Sequence, residues 1–180
     1  MNQFCHSFEH SYSLPSISDL YPDGDYVVIK RLDKAQLDPK FFQWLNSHNI
    51  SVSDLVVAWK PAQTQGLRNT KYGTVHSDGP NISKINFVLG GGGSQMIWFD
   101  RPRFVFTHAT AIDTHYQQAY AFQTLKELYR TSIQSALVNA EVFHYIENTQ
   151  DDRFAIQCTL IDLDSRQHLA FDQAHTRLFG

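Results

Sequence analysis

The sequence predicts a mainly β fold, a sandwich or barrel, and three observations carry that expectation. Short runs rich in β-branched and aromatic residues recur along the chain, among them "DYVVIKRL", "KINFVLG", "QMIWF" and "RFAIQCTLIDL". Such residues fit a pleated, half-buried surface. Turn chemistry separates the runs, as in "GGGGS" and "NTQDD". Helical signals are few, so about seven or eight short strands dominate the pattern.

Taken in order, the first twenty or so residues are polar and aromatic, with Pro15 and Pro22 as punctuation, and are expected to drape over the body. "DYVVIKRL" (Asp25–Leu32) reads as a strand. "DPKFFQWLNSHN" reads as a short helix: Asp38 can cap it, Pro39 suits its first position, and Phe41, Phe42 and Leu45 fall on its buried side. "SDLVVAWKP" is a strand ended by Pro61, and "QTQGLRNTKYG" is a loop. "KYGTVHSD", "KINFVLG", "SQMIWFD" and "RFVFTHAT" are strands in quick succession. "AYAFQTLKELYRTSI" (Ala119–Ile133) reads as a helix or an irregular connection. "ALVNAEVFHYIEN" and "RFAIQCTLIDL" are two more strands, which hairpin pairing would set side by side, and the tail "SRQHLAFDQAHTRLFG" is short and mixed.

A length of 180 residues suits one domain with a substantial core, here taken as residues 1–180. Hydrophobic residues at 42% and aromatics at 13% exclude a disordered composition. A net charge of −3 gives no basis for nucleic acid or an anionic membrane as partner. Two cysteines, Cys5 and Cys158, are too few for a disulfide scaffold and too far apart for a thiolate zinc site. Reduced thiols and a cytoplasmic location are the expectation. "MNQFCHSFEHSYSLPS" lacks the features of a signal peptide, and no apolar run approaches the roughly 20 residues that span a bilayer.

The run Gly90–Gly93 resembles a phosphate loop at first sight. A Walker loop needs Gly-Lys-Ser/Thr opening a helix, and a dinucleotide turn needs its own glycine spacing before a helix. Here the run leads into "SQMIWFD", a strand composition. The expectation is a mobile hairpin connection that does no chemistry.

A His followed two places later by an acid occurs once, at His76 and Asp78, which chance alone predicts for nine histidines and 18 acids in 180 residues. Strand geometry sharpens the signal. Residues i and i+2 share a face, so Tyr72, Thr74, His76 and Asp78 would form one polar face. A metal needs a third ligand, and His144, late in a strand and flanked by Phe143 and Ile146, is the best placed. Arg153 opens the next strand.

Jointly, His76-x-Asp78, His144 and Arg153 resemble the iron(II)- and 2-oxoglutarate-dependent dioxygenases, over about Lys71 to Leu160. That resemblance implies a double-stranded β-helix, a jelly-roll, cupin-like barrel with a few flanking helices. It implies Fe(II) held by His76, Asp78 and His144, with three coordination positions left open. Two of these would take 2-oxoglutarate and the third O2. Arg153 would hold the far carboxylate through its rigid fork of donors. The implied activity is hydroxylation of a substrate C–H bond, coupled to decarboxylation of 2-oxoglutarate to succinate. Family halogenases replace the carboxylate with a small residue, so the presence of Asp78 favours hydroxylation.

Asn86 shares a face of "KINFVL" with Lys84 and Val88 and, like Tyr72, is expected to line the pocket and contact the cosubstrate. The family often places Ser or Thr two residues after the arginine, where this chain has Ala155. Tyr72, Lys84 and Thr159 are the candidates to replace that hydroxyl. Trp59 and Trp98 read as core or pocket wall. His108 and His115 lack a carboxylate at strand spacing, so a second metal is not expected there. The expected partner is a small-molecule or amino-acid substrate, selected by "QTQGLRNTK" and "THATAIDTHYQQ". Two other classes stand beside this one: a cupin-like metalloprotein that does not use 2-oxoglutarate, and a non-enzymatic ligand-binding β-barrel.

Overall fold

The computed structural model describes residues 2–21, 29–61, 75–109, 115–119, 124–147 and 150–180. The described residues form two antiparallel six-stranded sheets and a few helices, in agreement with the mainly β expectation. The first sheet contains β1 (Cys5–Ser7), β2 (Ile29–Arg31), β3 (Ile50–Lys60), β5 (Ser83–Gly90), β10 (Ser135–Asn139) and β12 (Arg153–Asp162). The second contains β4 (His76–Ser77), β6 (Gln95–Phe99), β7 (Val105–Ala109), β8 (His115–Ala119), β9 (Glu127–Thr131) and β11 (His144–Glu147). Their strand orders are β1-β10-β5-β12-β3-β2 and β7-β8-β4-β11-β6-β9.

The helices are α1 (Ile17–Leu20), α2 (Pro39–Ser47) and α3 (Phe171–Phe179), with a 3₁₀ turn at Lys34–Gln36. Helix α2 forms as its sequence suggests. The Asp38 carboxylate accepts from the Lys40 N–H at 2.9 Å, Pro39 sits in the first turn, and Phe41 and Leu45 are buried.

The larger apolar core lies between the first sheet and the helices. Leu55, Val57, Ile85, Phe87, Phe154, Ile156 and Cys158 alternate along β3, β5 and β12 and pack with Phe41, Leu45, Phe171 and Leu178. Each such side chain, fully buried, contributes about 1.5–3 kcal/mol. A smaller core of Met96, Trp98, Ala136 and Val138, with Val88 and Ile146 against it, joins the two sheets. The first sheet therefore turns its apolar face to the helices and a mixed face to the second sheet.

Several local expectations are corrected. "ALVNAEVFHYIEN" is not one strand but two, β10 and β11, and they lie in different sheets. β11 and β12 likewise belong to different sheets, so no hairpin joins His144 to Arg153. Part of "AYAFQTLKELYRTSI" is the strand β9, paired with β6. The tail forms α3, anchored by Arg177 on Asp162 at 2.7 Å. The N-terminal segment enters the sheet as β1, paired with β10, rather than only draping over it. Both cysteines are free and buried. Among the described residues, no helix is long and apolar enough to cross a membrane.

Candidate metal centre

The position of His76 is set by backbone pairing. His76 in β4 is the register partner of His144 in β11, which is also paired with Trp98 of β6. The ring centroids of His76 and His144 are 4.5 Å apart. Asp78 follows just after the short strand, so it does not reach the site by continued strand alternation. Its N–H instead donates to the Ala140 carbonyl at 2.9 Å, and the Ser77 hydroxyl donates to the Glu141 carbonyl at 2.7 Å. Gly79, at φ +117°, completes this turn in a conformation that side-chain-bearing residues rarely adopt. The connection between β10 and β11 thus clasps the His-x-Asp segment against His144.

One donor atom from each of His76, Asp78 and His144 lies within 4.8 Å of the others. Bonds of about 2 Å place donors that share a first-row ion about 3–4 Å apart, so small side-chain rotations suffice to close the set. The chemistry of the donors fits such an ion. The His144 Nδ1 lies 2.8 Å from the Val142 carbonyl, which makes Nδ1 the protonated nitrogen and leaves Nε2 with a free lone pair. Burial, followed by the neighbouring His76, pushes His144 down to about 4, so it is neutral at physiological pH. Burial pushes the Asp78 carboxyl up, but the Lys84 ammonium and both imidazoles outweigh it and hold Asp78 at about 2. Lys84 Nζ is 2.9 Å from Asp78 Oδ2 and 3.2 Å from Gln157 Oε1.

Lys84 fixes which face of the first sheet points at this cluster. Asn86, Val88 and Gly90 follow Lys84 at alternate positions, and Gln157, Ala155 and Arg153 are their counterparts on β12. Asn86 is 4% exposed, and its Oδ1 is buried without a hydrogen-bond partner. Arg153 is 5% exposed, burial lowers its pKa to about 10, and no carboxylate pairs with it among the described residues. A guanidinium remains charged at that value at neutral pH, so Arg153 is a buried cation with no anion paired to it among the described residues.

Tyr72 lies outside the described residues, as does Thr74. Of the other candidates to replace the missing hydroxyl at Ala155, Lys84 is engaged by Asp78 and Gln157. Thr159 is the register partner of Lys84, six positions along β12 from Arg153, or about 20 Å at the usual strand rise. Neither replaces the missing hydroxyl beside Arg153. His108 and His115 belong to β7 and β8, but their side chains are outside the described set. Trp98 is fully buried and donates to the Asn139 carbonyl at 3.1 Å, which makes it core. Trp59 packs on the helix side of the first sheet.

The glycine run is built into the site's border. Gly90 (φ +66°), Gly91 (φ +70°) and Gly93 (φ +70°) make the turn between β5 and β6. A Cβ on Gly91 would meet Arg153 Cγ at 2.6 Å. The run therefore makes room for the stem of Arg153. Hydrogen bonds hold it there, from Gly91 N–H to the Asp152 carbonyl at 3.0 Å and from Gln150 N–H to the Gly92 carbonyl at 3.0 Å.

Three contributors escaped the sequence reading. Tyr116 of β8 stands 5.2 Å from His76, ring to ring. Gln157 holds Lys84 in place. Lys60, the register partner of Arg153, reaches the strand that bears His144. Alternation along β12 would have placed Gln157 on the face of Arg153, whereas Tyr116 and Lys60 carry no local signal.

No protein-family model, curated protein or solved structure matches the chain.

Proposed function

We propose that this protein is an Fe(II)- and 2-oxoglutarate-dependent oxygenase that hydroxylates a small-molecule or amino-acid substrate. One observation carries the reading: a His-His-carboxylate cluster shares the space between two sheets with a buried guanidinium that has no anionic partner among the described residues. The first feature suits a divalent ion with open positions. The second suits the distal carboxylate of a dicarboxylate.

The proposed fold is a double-stranded β-helix. Eight strands support it, in the orders β3-β12-β5-β10 and β4-β11-β6-β9. From β3 to β6 the chain changes sheets at every step, and from β9 to β12 it does so again, which supports a jelly-roll reading, since a jelly roll winds two Greek keys between two sheets.

When bound, ferrous iron and 2-oxoglutarate would supply the oxidising chemistry, with O2 as oxidant and succinate and carbon dioxide as products. The chain's own residues do the rest. His76, Asp78 and His144 hold the ion, and Lys84 keeps Asp78 ionised and oriented through one carboxylate oxygen. The Val142 carbonyl fixes the His144 tautomer. Arg153 neutralises and orients the far carboxylate, and Asn86 Oδ1 offers an acceptor on the same face.

The test is succinate release and oxygen uptake by the purified protein, supplied with ferrous iron and 2-oxoglutarate and screened against amino acids and peptides. Substrate-stimulated succinate formation that disappears in His76→Ala and Asp78→Ala supports the reading. Unchanged iron binding in those two variants would sink it.

A further inference from the structure

We propose that Lys60 and Arg153 together form a two-cation seat for the distal carboxylate of the cosubstrate. The inference rests on the 2-oxoglutarate reading and adds a residue to it. Lys60 and Arg153 are Cα partners in the antiparallel pair β3–β12, so their side chains leave the sheet on the same face, one beside the other. That face is the one opposite Trp59 and Phe154, which pack toward the helices. Around Arg153 the neighbouring positions on this face are Ala155, Ala58 and Val88, none of which bears a polar side-chain atom. Its other register partner, Gly90, has no side chain at all. Lys60 is therefore the polar neighbour that β3 and β5 give to Arg153.

Like charges placed directly opposite across a strand pair are destabilising. Both groups are also drawn out of water, and burial and the Arg153 charge push Lys60 down to about 8, with Glu147 partly offsetting them. Lys60 does not relieve the repulsion by forming an ion pair among the described residues. Its ammonium donates to the Ile146 carbonyl and lies 4.4 Å from the centre of the Tyr145 ring. An ammonium has three donors, and the Ile146 contact uses one. A carboxylate seated between Lys60 and Arg153 would take up free donors from both and convert the repulsion into two attractions. The Ile146 contact also brings Lys60 to β11, the strand that bears His144, two residues along from it.

The experiment is anaerobic calorimetric titration of the Fe(II)-loaded full chain with 2-oxoglutarate and with 2-oxopentanoate, which lacks the distal carboxylate. The proteins are native, Lys60→Met and Lys60→Arg. Expected is a loss of about 10- to 100-fold in 2-oxoglutarate affinity for Lys60→Met, the worth of one charge-assisted hydrogen bond. The affinity for 2-oxopentanoate should not change, and Lys60→Arg should recover much of the loss. A purely structural lysine would alter both ligands alike, so an unchanged ratio between them overturns the seat. Equal 2-oxoglutarate affinity in native protein and Lys60→Met overturns it as well, while leaving the oxygenase reading intact. Native protein that binds iron but not 2-oxoglutarate overturns both.

Discussion

His76 and His144 are direct partners across the β4–β11 ladder, and their rings stand 4.5 Å apart although 68 positions separate them in the chain. One backbone register decides whether the two histidines can share an ion. Displacing β4 by one residue would turn His76 to the opposite face. The Ser77 and Asp78 contacts to Glu141 and Ala140 secure that register, so Ser77→Ala should lower metal affinity without touching a ligand. Competition titration with a chromophoric chelator would measure this, and an affinity equal to that of the native protein would count against the register argument.

Asp78 and Lys84 are each less than one-fifth exposed and are 2.9 Å apart. Asp78→Asn removes one charge of a buried pair and leaves the ammonium uncompensated, which typically costs about 3–5 kcal/mol. The double variant Asp78→Asn/Lys84→Met is expected to recover much of that stability in urea denaturation. It is not expected to recover metal binding, because a metal ligand is still missing.

Arg153 should show the opposite balance. Replacing a buried charge that has no ionic partner among the described residues with an apolar side chain of similar length removes a desolvation cost, so Arg153→Met is expected to stabilise the ligand-free protein by about 1–4 kcal/mol. The same variant should lose 2-oxoglutarate binding. A lower denaturation midpoint for Arg153→Met would show that the charge is compensated after all.

Gly91 combines a φ of +70° with a Cβ position 2.6 Å from Arg153 Cγ. Gly91→Ala should therefore destabilise by about 1–3 kcal/mol, through backbone strain and crowding of the arginine stem. It should also weaken 2-oxoglutarate more than iron. Gly92 has neither the positive φ nor a contact under 3.0 Å, and Gly92→Ala serves as the control.

The N-terminal strand and α3 meet through a histidine pair, with His175 Nε2 3.1 Å from His6 Nδ1 and Phe179 stacked on His6. Burial, then the His175 charge, lowers the His6 pKa below its ordinary 6.5. The unfolded chain therefore binds a proton that the folded contact resists. Its stabilisation is fully present above about pH 6.5 and is lost as pH falls through the lowered value. Amide exchange over residues 4–8 should accelerate, relative to the rest of the first sheet, as the pH is lowered from above the ordinary histidine value of 6.5. His6→Phe should remove that difference.

Much of this architecture was written locally. The Asp38-Pro39 start of α2 and the β-branched runs of β3, β5 and β12 are set by dihedral preference and side-chain periodicity, and they appear where the residues indicate. The tail was harder to read. The N-cap of α3 is Ala170, which has no capping side chain, and the helix is fixed by Gln173 Oε1 accepting from the Ala170 N–H at 3.1 Å and by the burial of Phe171, Ala174 and Leu178. "ALVNAEVFHYIEN" reads as one run because nothing in it breaks β propensity, yet the chain crosses from one sheet to the other at Ala140–Phe143.

By itself the sequence determined the mainly β class, and it singled out His76, Asp78, His144 and Arg153 as residue types suited to a metal and an anion. Only the tertiary structure decided that three of them meet, because proximity across 68 positions depends on strand order and register rather than on local preference. It also decided their surroundings. Lys84 is spent on Asp78, Gly91 yields space to Arg153, and Lys60 stands beside that arginine. Each of these is a contact between strands, and the energy of a buried charge depends on which neighbours the fold supplies rather than on which residues adjoin it in the chain.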